Sequence, residues 1–139
     1  MPRELKKLTR GKEIKRLDTI FSRYIRLKHA DENGMCTCVT CGAFLHYKEI
    51  HNGHFISRGC LLTRFDERNV ACQCCSCNTY RNGEQAKFLI YIERTLGRKA
   101  VDELMEKEQE WKRTNRWIRT PEIRELTIHY KELLNNLEV

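Results

Sequence analysis

Only two prolines and seven glycines occur among the 139 residues. That scarcity excludes collagen-like and low-complexity chains. No apolar run approaches the roughly 18 residues of a membrane span, so no transmembrane helix is expected. Nor does the opening Met1-Pro2-Arg3-Glu4-Leu5-Lys6-Lys7 lead into the apolar stretch of a secretory signal. Hydrophobic residues make up 40% and charged residues 32%. There is enough Ile, Leu and Phe for a modest core, which argues against wholesale disorder. The length suits one domain. Eight cysteines without an export signal point toward metal and away from disulfides.

The net charge of +7 is unevenly placed. Residues 1–30 hold ten Lys/Arg and three Asp/Glu, while the remainder holds sixteen of each sign. A basic segment joined to a neutral body is a footprint of nucleic-acid binding, although a solvated helix face gives the same composition. Within that segment Ile14, Leu17, Phe21, Tyr24 and Ile25 recur at helical spacing, predicting an amphipathic helix over 12–30. Lys12, Lys15, Arg16, Arg23 and Arg26 fall on the opposite arc as one positive stripe. A membrane-surface helix would look similar but would carry Trp on its apolar face. Residues 1–11 read as a basic tail ahead of a single domain over 12–139.

Asp31-Glu32-Asn33-Gly34 is a turn signal. A centre rich in Cys, Gly, His and Asn then covers 35–83, with weak strand signals at Phe44-Leu45-His46-Tyr47 and His54-Phe55-Ile56. The part from 84 to 139 reads as three helices. The first carries Phe88, Leu89, Ile92 and Leu96 and is capped by Gly97; the second carries Ala100, Val101, Leu104 and Met105. The third opens at Thr120-Pro121, as N-cap and first helical residue, and carries Ile123, Leu126, Tyr130, Leu133, Leu134 and Leu137. The expected class is α+β.

Cys38-x2-Cys41-Gly42 is a metal knuckle, and Cys74-x2-Cys77 is a second one, separated from the first by 32 residues. Two such pairs deliver four thiolates to one tetrahedral ion, and thiolate softness favours structural zinc. Cys72 with Cys75 is a rival pair. Cys74 with Cys77 is preferred because Cys77-Asn78 opens toward the helical stretch, the arrangement of a treble-clef finger. Cys36, Cys60, Cys72 and Cys75 then read as small buried apolar residues. A redox Cys-x2-Cys enzyme is the competing class.

Between and just beyond the knuckles stand His54, Asn69 and Asn78, the His…Asn…Asn order of an HNH nuclease in a zinc-stabilised ββα unit. Each residue type has a chemical task there. Neutral imidazole can take a proton from water. An Asn carbonyl oxygen suits a hard cation such as Mg2+ or Mn2+, which neutralises phosphate charge. A second Asn can fix a loop so that the histidine points correctly.

On Cys38-x2-Cys41-Gly42, Gly53-His54-Phe55, Thr63-Arg64-Phe65-Asp66-Glu67-Arg68-Asn69-Val70, Gln73-Cys74-x2-Cys77-Asn78 and Asn82-Gly83, the sequence resembles the NinG/Rap recombination proteins of lambdoid phages. These are a branch of the HNH/His-Me-finger nucleases. The resemblance implies a structure-specific endonuclease acting on Holliday junctions and D-loops in phage recombination. It would be phage-encoded, work in the host bacterial cytoplasm, and have branched DNA and phage recombination proteins as partners. It places His54 as general base, Asn69 as the orienting residue and Asn78 on the metal side, with Cys38, Cys41, Cys74 and Cys77 holding zinc. Many HNH enzymes carry a metal ligand where this chain has Gly53, and lambdoid relatives carry a His where it has Ala71. His51, Asp66 and Glu67 are the candidates to replace a missing ligand of the catalytic cation. The lambda-phage member of that family carries an extra N-terminal cysteine-rich basic region, whose DNA-binding role the basic helix and tail would fill. Arg58, Arg64 and Arg81 join the helix cations as candidate DNA contacts. Symmetric cutting of a four-way junction needs two sites, which favours a homodimer. Leu133, Leu134 and Leu137 would be either its surface or plain core. The alternatives are a non-catalytic zinc module that binds branched DNA or a recombinase, and an HNH nuclease acting on linear duplex.

Overall fold

The structure is a computed structural model that describes residues 8–138. Most of the expected basic tail, residues 1–7, lies outside the described residues. Helix α1 spans Arg10–Lys28. Thr9 caps it by accepting from the Lys12 amide at 3.3 Å, satisfying one of the free N–H groups of the first turn. Arg10 and Gly11 therefore belong to the helix and not to a tail. The Arg10 guanidinium lies over the Trp117 ring at 5.2 Å and donates to Thr120 Oγ1.

The apolar arc of α1 is buried at Leu17, Phe21, Tyr24 and Ile25, as its spacing predicts. Its main partner is α4, Thr120–Leu137, which contributes Ile123, Tyr130 and Leu134. Phe21 meets Tyr130 edge-on at 4.8 Å and Phe65 at 5.7 Å. Rings so arranged add about 0.5–1.5 kcal/mol per pair beyond their area. Leu134 and Leu133 are core or packed on it, so the last helix spends this face inside the protein; Leu137 is exposed. Arg119, with an extended backbone, and not Thr120 is the N-cap residue of α4; Thr120 is already helical and its hydroxyl accepts from Arg10.

Helices α2, Gln85–Leu96, and α3, Arg98–Thr114, turn on Gly97 at φ +92°, a backbone that disfavours residues with a Cβ. They bury Phe88, Ile92, Ala100, Val101 and Leu104. Leu96 and Met105 were expected on those buried faces and are exposed. Leu96 is the last residue of its helix, and Met105 stands 100° round from Leu104.

Two short antiparallel sheets lie in the centre. Strands β1, Met35–Thr37, and β2, Phe44–His46, flank the first knuckle. Strands β3, His51–His54, and β4, Val70–Gln73, lead into the second. The strand expected from His54 onward thus ends at His54. Phe55 and Ile56 owe their apolar character to burial in the α2–α3 core at the start of a loop. Helix α1 packs on both β3 and β4. Phe65 and Val70 join the α1–α4 core, while Phe55, Ile56, Cys60 and Ala71 join the α2–α3 core. The observed class is mixed α+β, with the β3–β4 pair between two helical layers.

The loop from 55 to 69 has little regular structure, so its backbone must find other partners. Fully buried Asn69 supplies three of them. Its Oδ1 accepts from the Ile56 amide at 2.7 Å, and its Nδ2 donates to the carbonyls of Ile56 and Thr63, both at 3.1 Å. Asn69→Ala should cost about 2–4 kcal/mol, since it strands buried backbone groups at both arms of the loop. Chemical denaturation should read that loss as a lower midpoint, and an unchanged midpoint would contradict it.

Candidate metal centre and histidine cleft

The turn between β1 and β2 carries Cys38 and Cys41, and Gly42 at φ +80° closes it with its amide on the Cys38 carbonyl at 2.9 Å. Cys74 and Cys77 follow β4 at the start of a helical turn, Ser76–Tyr80. The Sγ atoms of all four cysteines lie within 4.8 Å of one another, and those of Cys41 and Cys74 are 3.6 Å apart. A tetrahedron of Zn–S bonds near 2.3 Å has edges of about 3.8 Å. The donor set and spacing therefore fit a metal such as zinc. The rival pair does not converge: Cys72 is buried beside Cys36 and burial pushes its thiol up to about 12, whereas Cys75 is exposed. Cys75 is thus not the buried residue its composition suggested, since it points outward from the turn.

A cleft of about 780 Å³ opens beside this centre. His51, Asn52 and His54 of β3 line it, with Asn78 and Asn82 from the segment after the second knuckle and Asp18 and Arg26 from α1. His54 Nε2 lies 3.1 Å from the Arg64 carbonyl oxygen. That oxygen can only accept, so neutral His54 carries its proton on Nε2 and leaves Nδ1 as the basic atom. Burial pushes the His54 pKa down to about 4, helped by Arg58 and Arg64 and opposed by the Arg64 carbonyl and Asp18. The imidazole is neutral at pH 7. His51 Nδ1 lies 3.1 Å from Asn78 Nδ2, so the two residues paired by sequence as candidate cation ligands are neighbours. Asn52 buries its Oδ1 with no hydrogen-bond partner among the described residues.

Asp66 and Glu67 do not line this cleft. Asp66 caps the turn Glu67–Asn69 and holds Arg68 and Lys107, while Glu67 holds Lys28 and Tyr130. They are not replacements for a ligand there. Packing confines the two positions at which the resemblance expected a ligand. A Cβ at Gly53 would stand 2.0 Å from Gln73 Oε1. Gln73 is fully buried, with its amide tied to Thr40 Oγ1 and the Gly83 carbonyl, so it has nowhere to go. Ala71, paired opposite Gly53, faces the α2–α3 core.

The candidate DNA contacts divide into two groups. Lys12, Lys15 and Arg16 are exposed and make no ion pair among the described residues. Arg23 pairs with Glu138 at 2.7 Å, and Arg81 lies 3.8 Å from Glu84. Arg26 is turned inward, donating to the carbonyls of Ser22 and Tyr47. Arg64 is held by Asp18 and largely shielded, whereas Arg58, also on Asp18, keeps most of its side chain in solvent. Asp18 and Asn52 escaped notice in the sequence because no motif marks them, and Gln73 stood in the second-knuckle motif with no role attached to it.

Three variants test this geometry. Cys77→Ser should lower bound zinc below one per chain and lower the melting temperature, because metal binding and folding are coupled. Cys75→Ser should change neither, and metal analysis beside thermal melts distinguishes them. Gly53→Ala should destabilise by about 1–3 kcal/mol through overpacking against Gln73. A Gly53→Ala chain as stable as the parent would place that side chain elsewhere.

No solved structure matches the chain. The family described as "NinG: Bacteriophage Lambda NinG protein" matches residues 2–139. Protein ninG of Salmonella phage P22 is 30% identical over 125 residues, covering 89% of this chain and 57% of that protein. Protein ninG of Escherichia phage 933W is 27% identical over the same shares. Protein ninG of Escherichia phage lambda is 28% identical over 92 residues, covering 66% of this chain and 43% of that protein. The chain thus spans about half the length of the curated relatives it matches. It belongs to the NinG family of phage proteins.

Proposed function

We propose that the chain is a metal-dependent DNA endonuclease of the HNH type that cuts branched DNA during phage recombination. The observation that carries this reading is His54. It is neutral, held by one nitrogen and basic at the other, on the wall of a cleft that also contains His51 and Asn78. The β3–β4 pair followed by the turn Ser76–Tyr80 supports a ββα unit, and the four thiols support a structural zinc beneath it. Arg58 and Lys48 on the cleft wall, with Lys15 one turn before Asp18 on the same edge of α1, suit a polyanion.

In the reaction, water attacks phosphorus as its proton passes to His54 Nδ1. The new P–O bond forms while the bond to the 3′-oxygen breaks, and that oxygen keeps the electron pair and takes a proton from solvent. The products are 5′-phosphate and 3′-hydroxyl ends. Asn69 pins the loop whose Arg64 carbonyl fixes the base. His51 and Asn78 would hold a Mg2+ or Mn2+ ion, which supplies charge neutralisation at the phosphate and the leaving oxygen. Two sites on a homodimer would cut both strands of a junction symmetrically.

The test uses the purified chain with Mg2+ or Mn2+ on a synthetic four-way junction and on linear duplex of the same arms. Junction should be nicked in preference to duplex, EDTA should stop the reaction, and His54→Ala should lower the rate by about 10²–10⁴ while junction binding persists. Binding without cleavage would leave a DNA-binding zinc module. Equal cutting of both substrates would indicate a duplex nuclease.

The His54 ring resonances should titrate with a midpoint near 4, not near 6.5. With the folded pKa depressed, the stability this neutral ring carries is present above about pH 6.5. It is lost as pH falls through about 4. A midpoint near 6.5 would mean that the ring is not held as described.

A further inference from the structure

The His54 ring is only as well placed as the carbonyl it bonds to, and that carbonyl lies in the irregular loop. Something must hold the Arg64 peptide. Its amide donates to the Cys60 carbonyl at 3.0 Å, which fixes one side of the residue within the loop itself. Outside the loop, the Arg64 guanidinium is gripped by Asp18 of α1, through Nε to Oδ1 at 2.9 Å and through Nη2 to Oδ2. A two-point fork of this kind fixes direction as well as distance. Both side chains are largely shielded, with 16% of Asp18 and 18% of Arg64 exposed, so water competes weakly for the pair. Arg58 adds a third contact to Asp18 at 3.2 Å, and Arg64 Nη1 lies 3.3 Å from the Arg58 carbonyl. Asp18 itself rides on a rigid face, next to fully buried Leu17 and one turn before Phe21.

We propose that Asp18 is a positioning residue: it clamps Arg64 from helix α1, and so fixes the carbonyl that sets the tautomer and direction of His54. The path runs from carboxylate to guanidinium to peptide carbonyl to imidazole, and it ties the basic helix to the base of the reaction. This rests on the nuclease reading for its catalytic consequence, but not for the tautomer.

The experiment therefore has two arms. In the first, long-range ¹H–¹⁵N correlations of the folded full chain report the neutral His54 ring. The wild type should show the proton on Nε2 alone. Asp18→Ala and Arg64→Leu should each give a mixture of the two tautomers, and the milder Asp18→Asn, which keeps the shape and one acceptor, should fall between. In the second arm, junction cleavage should lose about 10–100-fold in kcat with KM changed less than twofold. The double variant Asp18→Ala/Arg64→Leu should be no slower than the slower single, because both act on one path. A folded Asp18→Ala chain with the wild-type tautomer overturns the proposal, even if its melting temperature falls, since Asp18 would then only hold the helix to the loop. A wild type that does not cut at all removes the nuclease reading, and the tautomer arm still decides the role of Asp18.

Discussion

The pairing of β3 with β4 is the constraint on which the site depends. Four residue pairs fix its register, with Gly53 opposite Ala71 and His54 opposite Val70. A slip of one residue would send His54 to the other face of the hairpin. It would also drive a side chain into the space that Gln73 occupies beside Gly53. The hairpin is too short to hold this register alone, and its connecting loop is long. The register is secured instead at its ends. Asn69 ties the start of β4 to the residues just after β3, and the Val39 amide ties the first knuckle to the Cys72 carbonyl at 3.0 Å. Gln73 links the end of β4 to Thr40, whose hydroxyl lies 3.3 Å from Cys38 Sγ. The thiol cluster and the histidine cleft are thus two ends of one hairpin, so a metal held by the four thiols would also steady the cleft.

Much of this was legible in the residues. The thiol set followed from two Cys-x2-Cys spacings, with Cys74 and Cys77 chosen over Cys72 and Cys75 because Cys77-Asn78 opens toward the helical stretch. The buried arc of α1 followed from its 3.6-residue period, and Pro121 marked the first turn of α4. Side chains whose role depends on a distant partner were not legible. Asp18 reads as one acid on a basic helix until Arg64, forty-six residues away, is seen on it. Arg26 has the right angular position for an outward cation, but its long side chain folds back to the Tyr47 carbonyl. Gly53 gives no sign of its crowding until Gln73 is seen to fill the space beside it. Phe55 and Ile56 carry the composition of a strand and serve as the anchor of a loop. In each case local pattern was overruled by a contact between elements far apart in sequence.

Charge follows the same division. The excess of Lys and Arg in the first thirty residues is real, yet only part of it faces solvent unpaired among the described residues, at Lys12, Lys15 and Arg16. Of the others described, Arg23 and Lys28 pair at the surface with Glu138 and Glu67, Arg10 locks α1 to the start of α4, and Arg26 locks it to the segment after β2. The basic helix is then a wall of the cleft, and its exposed cations are the surface proposed for phosphates. On that proposal binding and positioning share one element, and substitutions along it should separate by face.

The central claim is that the cleft beside His54 is a cation-dependent reaction centre and that the thiol cluster is not. Crystals of the zinc-loaded chain soaked with manganese test it directly. The account predicts anomalous manganese density in the cleft against His51 and Asn78, near His54, with zinc retained on the four thiols. Manganese absent from the cleft, in crystals whose cleft is open to solvent, would contradict it.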